Sequence, residues 1–243
     1  MPEESKVAVR WPLGPGVELI QAGPSGLYAL NKPSGVRSQP KEGGKDPQAL
    51  LTCSYSLKDE AYHVPPDKGG GKVWLLHRLD AGTSGVILVA DQEKTAEEVK
   101  KAFAEHRVKK TYVALVFGWP KEKEAVWRER IEVKKERGQA RAKAGVGIWA
   151  EARMRVREKF QANSGPMALL ELQPKTGRTH QLRIQCANRG LPIVGDRTYG
   201  DFQKNRVLKT DALFLHSESI ACPLGKAFFR SHMPHPEGFK FLG

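Results

Sequence analysis

Apolar residues recur along this chain mostly at a two-residue period, in short runs broken by polar turns, which is the pattern of half-buried strands. Leu27 to Leu30, Val86 to Ala90, Thr111 to Phe117, Glu151 to Phe160, Met167 to Leu172 and Leu213 to Leu215 are predicted as strands. Two stretches follow a helical period instead. Asp91 is placed to cap a helix reaching about His106, with Ala96, Val99, Ala102 and Phe103 on one face. A second helix is predicted from near Thr179 to just before Gly190, a glycine suited to a helix end. Pro12 to Gly16, Gln39 to Pro47 and Pro65 to Lys72 are rich in Gly, Pro and charge, and read as loops. Strands outnumber helices without alternating with them, so an α+β fold around a mainly antiparallel central sheet is expected, with flanking helices. No gap resembles an interdomain linker, and residues 1–243 read as one domain without repeats.

Charge changes this picture more than length does. Forty Lys and Arg against 27 Asp and Glu leave a net charge of +13 on 243 residues, an excess that favours a polyanionic partner, nucleic acid before an anionic membrane surface. Arg153, Arg155, Arg157 and Lys159 alternate, so an extended strand presents them as one basic stripe: either a solvated outer face or a binding surface. From Lys121 to Lys143, nine cations mix with five anions, as in a solvated hairpin. No apolar run is long enough to span a membrane, and the amino-terminal MPEESKVAVR lacks the core of a secretion signal, so a cytoplasmic protein is expected. Cys53, Cys186 and Cys222 are far apart and outside any CxxC spacing, which argues against zinc and against structural disulfides.

Several common catalytic patterns fail on spacing. Gly69-Gly70-Gly71-Lys72 is followed by Val73 where a phosphate loop needs Ser or Thr for magnesium. Ser84 lacks the glycine two places on that a hydrolase elbow requires. The seven histidines include no HExxH or other paired ligand spacing, so no metal site is expected. What survives is Leu76-His77-Arg78-Leu79-Asp80-Ala81-Gly82-Thr83-Ser84-Gly85, a carboxylate in a glycine-bearing turn leading into the strand at Val86. Taken alone, such an aspartate is either a turn-former or a catalytic group.

The surrounding residues resemble the RluA-type RNA pseudouridine synthases. HRLDAGTSG, from His77 to Gly85, matches the signature of that family. Asn31-Lys32-Pro33-Ser34-Gly35 is similar to its NKPxG element, Lys110 to Gly118 to its KxYxALVxG strand, and Gly177 to Arg183 to its GRTHQLR helix start. Gly190 to Gly200 follows its GxPIxGDxxYG pattern. The resemblance implies the pseudouridine synthase fold with a central active-site cleft. It also implies a cofactor-independent isomerisation of uridine within RNA: the glycosidic bond breaks, the base turns and it rejoins through carbon.

By that resemblance Asp80 is the catalytic aspartate, acting as a nucleophile or by starting an elimination. Arg183 is the arginine expected to hold it ionised, and Tyr112 the tyrosine that stacks on uracil and takes a proton. Arg78 matches the arginine that fills the gap left by a flipped base; His77, Thr83, Arg178, His180 and Gln181 either shape the cleft or contact phosphate, or else hydrogen-bond behind it, and Leu215 is a wall of the uracil pocket. Two segments depart from the pattern: Ile184-Gln185 stands where the family commonly has Val-His, and Ala221-Cys222-Pro223-Leu224 where it has Phe-x-His-Pro. Both bear on the RNA target rather than on the chemistry. The expected partner is structured RNA, tRNA or rRNA, with no membrane, no obligatory protein partner and a monomeric chain. With only 30 residues before Asn31, no separate amino-terminal RNA-binding domain is expected. The competing reading is a non-catalytic RNA-binding protein on the same fold.

Overall fold

A computed structural model describes residues 9–136, 139–144, 147–210 and 212–231. Most of the amino-terminal decapeptide lies outside the described residues, as do the charged side chains toward the tip of the Lys121 to Lys143 hairpin. The chain divides into two compact units, one running to Val108 and resuming at Ser219, the other spanning Lys109–Glu218.

The first unit contains β1 (Glu18–Ala22), β2 (Leu27–Lys32), β3 (Ser54–Ser56), β4 (Ala61–His63), β5 (Lys72–Leu75), β6 (Ser84–Ala90) and α1 (Glu93–Ala104). Strands β3, β4, β5 and β6 pair in that order, β2 pairs with β6, and β1 with β2, all antiparallel. Alternation sends Leu27 and Ala29 of β2, and Val86, Leu88 and Ala90 of β6, into one core, where Ala96, Val99 and Ala102 of α1 cover them. The helix starts later than its sequence predicts. Gln92 occupies the cap position, while Asp91 instead accepts a hydrogen bond of 2.9 Å from the Tyr28 hydroxyl, a partner 63 residues distant.

The second unit contains β7 (Lys109–Phe117), β8 (Glu124–Glu136), β9 (Gln139–Ala144), β10 (Ile148–Ala162), β11 (Gly165–Pro174), α2 (Gln181–Ala187) and α3 (Phe202–Val207). Its strands pair antiparallel in the order β7-β11-β10-β8-β9. Leu115, Phe117, Met167 and Val194 form one core cluster, and Ile131, Ala150 and Ile184 another. Helix α2 matches the expected second helix; α3, capped by Asp201, has Phe202 and Val207 in solvent and no apolar stripe to announce it. The chain then forms β12 (Leu215–Ala221), whose last residues begin the return to the first unit and pair with β13 (Phe228–Arg230). Few helices on antiparallel ladders make an α+β architecture.

The basic stripe does not survive as an even row. The register of β10 against β11 slips between Val156 and Glu158, a β-bulge at Arg157. Arg157 reaches Glu218 at 2.5 Å and Glu171 at 2.8 Å, and Arg155 also meets Glu171, at 2.9 Å. The Glu218 bonds raise the Arg157 pKa further, while burial of Glu171 is outweighed by its two arginines, which hold its carboxyl below the usual range. Lys159 donates to the Pro120 carbonyl. Two of the four cations are thus locked to carboxylates within their own unit.

Candidate active site

In the first unit, the residues around Asp80 are held by a segment more than forty residues away in sequence. Asp80 opens a turn in which the Thr83 N–H donates to the Asp80 carbonyl at 3.0 Å. On one side, the buried Ser38 hydroxyl donates to the Leu79 carbonyl at 2.8 Å and accepts from the Leu79 N–H at 3.0 Å. On the other, the Gly35 N–H and the Lys32 ammonium donate to the Ala81 carbonyl at 2.8 and 3.1 Å, and the Ser34 hydroxyl donates to the Gly82 carbonyl at 2.9 Å. Both flanks of the aspartate are therefore tied to residues 32–38, and the half-buried carboxylate is displayed from a fixed backbone. The NKPxG and HRLD segments are two halves of one clamp.

Lys32 itself was not singled out by its sequence. Its side chain is fully buried, and its ammonium donates to the carbonyls of Pro33, Val36 and Ala81. Burial pushes its pKa down to about 7, against the opposing pull of the Asp80 charge. Three carbonyl acceptors match the three donors of the protonated amine, one more than a neutral amine has. The available signal was the alternation of β2, which puts Lys32 on the same buried face as Leu30. Because folding lowers this pKa, the unfolded chain keeps a proton that the native state sheds from about pH 7 up to the ordinary value of 10.5. Unfolding free energy should therefore rise with pH across that window, and denaturant titrations of Lys32→Met should lose the rise.

Around the same turn, Arg78 is exposed, whereas Thr83 is buried. The His77 Nε2 accepts the Leu88 N–H at 3.0 Å, and the ring packs 4.9 Å from that of Phe103. That ring nitrogen is thus engaged by β6, and the ring face by α1.

In the second unit, Tyr112 lies on β7 opposite Leu172, with 9% of its surface exposed. Arg183, on α2, meets Asp196 in a bidentate pair, Nε to Oδ2 at 2.7 Å and Nη2 to Oδ1 at 2.8 Å. Burial alone would raise the Asp196 pKa, but Arg183 and the N–H groups of Tyr199 and Thr198 hold the carboxyl below its usual range. The Tyr199 ring lies 5.2 Å from the guanidinium and its hydroxyl 3.0 Å from the His180 Nδ1. Asp196, in the GDxxYG stretch, was missed as a site residue although the motif contains it. His180 takes a left-handed conformation, φ +54°, at the start of α2. Gln181 is buried: its oxygen accepts from Thr176 and from the Arg178 N–H, and its amide donates to the Glu151 carbonyl. These bonds shape the loop before α2. Gln185, where the family commonly has histidine, is fully buried and donates to the Trp127 carbonyl at 3.3 Å. Leu215 is buried at the start of β12. Arg178 is exposed and fixed through Nε to the Trp149 carbonyl at 3.2 Å.

A cavity of about 260 Å³ in this unit is lined by Glu124, Arg153, Arg155, Glu171 and Gln173. Glu171 is paired with Val113, the neighbour of Tyr112, so this cavity opens on the sheet face opposite to Tyr112. It is not the site the motifs outline. Among the described residues no group of three or more His, Cys, Asp or Glu is placed to hold a metal ion, and no helix is long and apolar enough to cross a membrane.

Residues 26–188 match the family model described as RNA pseudouridylate synthase. The chain belongs to that family. It is 33% identical over 209 residues to the tRNA pseudouridine synthase C of Vibrio cholerae serotype O1, covering 80% of each chain. With the ribosomal large subunit pseudouridine synthase D of Borreliella burgdorferi it shares 30% identity over 216 residues, 85% of this chain and 61% of that one. The structure of human RNA pseudouridylate synthase domain containing 1 superposes with a TM-score of 0.64 at 24% identity, covering 92% of this chain and 87% of that one, a likeness of fold. The synthase is thus an isomerase acting on RNA, and the matched span contains the Asp80 turn with its clamp, Tyr112 and Arg183.

Proposed function

We propose that this synthase converts uridine in structured RNA, a tRNA or an rRNA, to pseudouridine, with Asp80 as the reactive carboxylate and Tyr112 and Arg183 as its catalytic companions. The observation that carries this is the clamp: a carboxylate in the family signature whose neighbours on both sides, Leu79 and Ala81, are pinned from residues 32–38. Such pinning has little purpose for a turn-former and much for a group that must meet a sugar or base at a set angle.

The reaction breaks the bond from C1′ of ribose to N1 of uracil, forms one from C1′ to C5, and releases the C5 proton while N1 gains one. Asp80 in its ionised form either attacks or abstracts a proton to begin it. Tyr112 stacks on the base and takes the C5 proton, and Arg183 supplies an oriented cation, its planar group fixed by Asp196. The target base must leave its stack, at a cost of a few kcal/mol that is least in loops. Arg78, exposed beside the Asp80 turn, takes the vacated place, its guanidinium stacking on the neighbouring bases. Leu215 walls the uracil pocket. Recognition rests on the chain's own basic surface, with no obligatory protein partner, and the work is done in the cytoplasm as a monomer.

Unmodified tRNA and rRNA transcripts incubated with the chain, in buffer containing a chelator, should acquire pseudouridine at discrete positions when mapped by sequencing. Tight RNA binding with no conversion in either class would favour the non-catalytic reading instead.

A further inference from the structure

The amino-terminal end of β10 carries a feature that the reaction leaves unexplained. Trp149 is 56% exposed. A single exposed apolar residue needs no explanation, but an indole is the largest side chain available and this one stands in a charged setting. Across the ladder it faces Arg130, whose guanidinium carbon lies 5.4 Å from the ring centroid. One step along the same face, Arg128 pairs with Glu151 at 2.8 Å, and Lys175 approaches that carboxylate at 3.8 Å. Glu132 follows Arg130 on this face, so four cations, with Arg178, surround two carboxylates. The Arg178 guanidinium is anchored on the Trp149 carbonyl, which joins this ribbon directly to the GRTHQLR loop.

We propose that Trp149 is a stacking platform for one unpaired base of the RNA substrate, with Arg130 and Arg178 holding the phosphates on either side. This rests on the reading of the chain as an RNA-modifying enzyme and adds a requirement to it: the RNA must present an unpaired nucleotide besides the target uridine. A two-stranded ribbon with an aromatic face among cations suits a single-stranded nucleotide in both respects. The indole takes any base, because every base has a π-face, and the guanidiniums take the backbone. A paired duplex offers the phosphates but no free base, so it engages only the cations.

The test uses the full chain, a stem-loop RNA with a uridine-rich loop, and the same sequence annealed to its complement. Trp149→Leu should weaken stem-loop binding about tenfold and leave duplex binding within about twofold. Trp149→Phe should restore stem-loop binding to within about threefold of the parent chain, since it keeps a ring. Arg130→Gln should lower the salt slope for both RNAs by about one. Thermal melting should be unchanged for each variant, as all these side chains are on the surface. Undiminished stem-loop binding by Trp149→Leu, an equal loss on the duplex, or no rescue by phenylalanine would overturn the platform. If the parent chain still forms pseudouridine in that event, the platform alone fails; if it binds neither RNA, the platform fails with the functional reading.

Discussion

Asp80→Asn should lower pseudouridine formation by more than ~10³-fold while leaving the fold and RNA affinity nearly intact. The amide is the size of the carboxylate but has neither its charge nor its nucleophilicity. The backbone that positions it is held by bonds that do not involve its own side chain: Ser38 grips both polar groups of Leu79, and Lys32, Ser34 and Gly35 hold the carbonyls of Ala81 and Gly82. None of these bonds is lost in the variant, so the melting temperature should move little. Affinity should hold or rise, because the substitution removes a negative charge from a protein that binds a polyanion. Single-turnover conversion and equilibrium binding, measured on the same transcript, check the two halves separately. Turnover within tenfold of the parent would dismiss Asp80 as the reactive group.

Asp196→Ala should be the most damaging single substitution to stability. Asp196 is 1% exposed and Arg183 9% exposed, and removing one member of a buried pair leaves the other charged, desolvated and unmatched, a cost of about 3–5 kcal/mol. The loss extends beyond the ion pair. Asp196 Oδ1 also accepts the N–H groups of Thr198 and Tyr199 at 2.8 and 3.0 Å, so the turn after Gly195 loses its anchor. For a chain of this size that corresponds to a fall in melting temperature of roughly 6–20 °C. A fall under about 2 °C would show that the pair contributes little. Acid has a related effect. Folding holds the Asp196 pKa below its ordinary 3.8, so its contribution is complete above that value and is lost as pH falls through the lower, folded one. The parent should therefore lose stability in that acid range more steeply than the Asp196→Ala variant.

Elements whose periodicity is local were legible in advance. The strands at 27–30, 86–90, 111–117 and 167–172 and the apolar face of α1 lie where alternation puts them. What escaped depends on partners far along the chain. Asp91 satisfies every local criterion for a helix cap, yet Tyr28 claims its carboxylate. The row Arg153 to Lys159 is even in sequence, but Arg157 bulges out and bridges Glu171 and Glu218, the latter 61 residues on. His77 and Gln181 are polar residues in a motif that read equally as phosphate contacts or as supporting hydrogen bonds; one receives the Leu88 amide and the other knits the loop before α2. A polar side chain in a motif serves chemistry or architecture, and its spacing is the same in either case.

The class of the molecule was readable from its residues alone. A cationic surplus pointed to a polyanion, and ordered motifs from Asn31 to Gly200 identified a family and singled out Asp80 as its candidate aspartate, because a motif and the turn that displays it are encoded within a few residues. Which buried groups support them emerges from the packing. Lys32 and Ser38 acquire their meaning by closing on a turn more than forty residues away, Asp196 by receiving Arg183, and Trp149 by standing exposed with Arg130 at its ring and Arg178 on its carbonyl. Burial and partnership are properties of the packed chain, and a window of sequence, even one that holds both Arg183 and Asp196, shows neither.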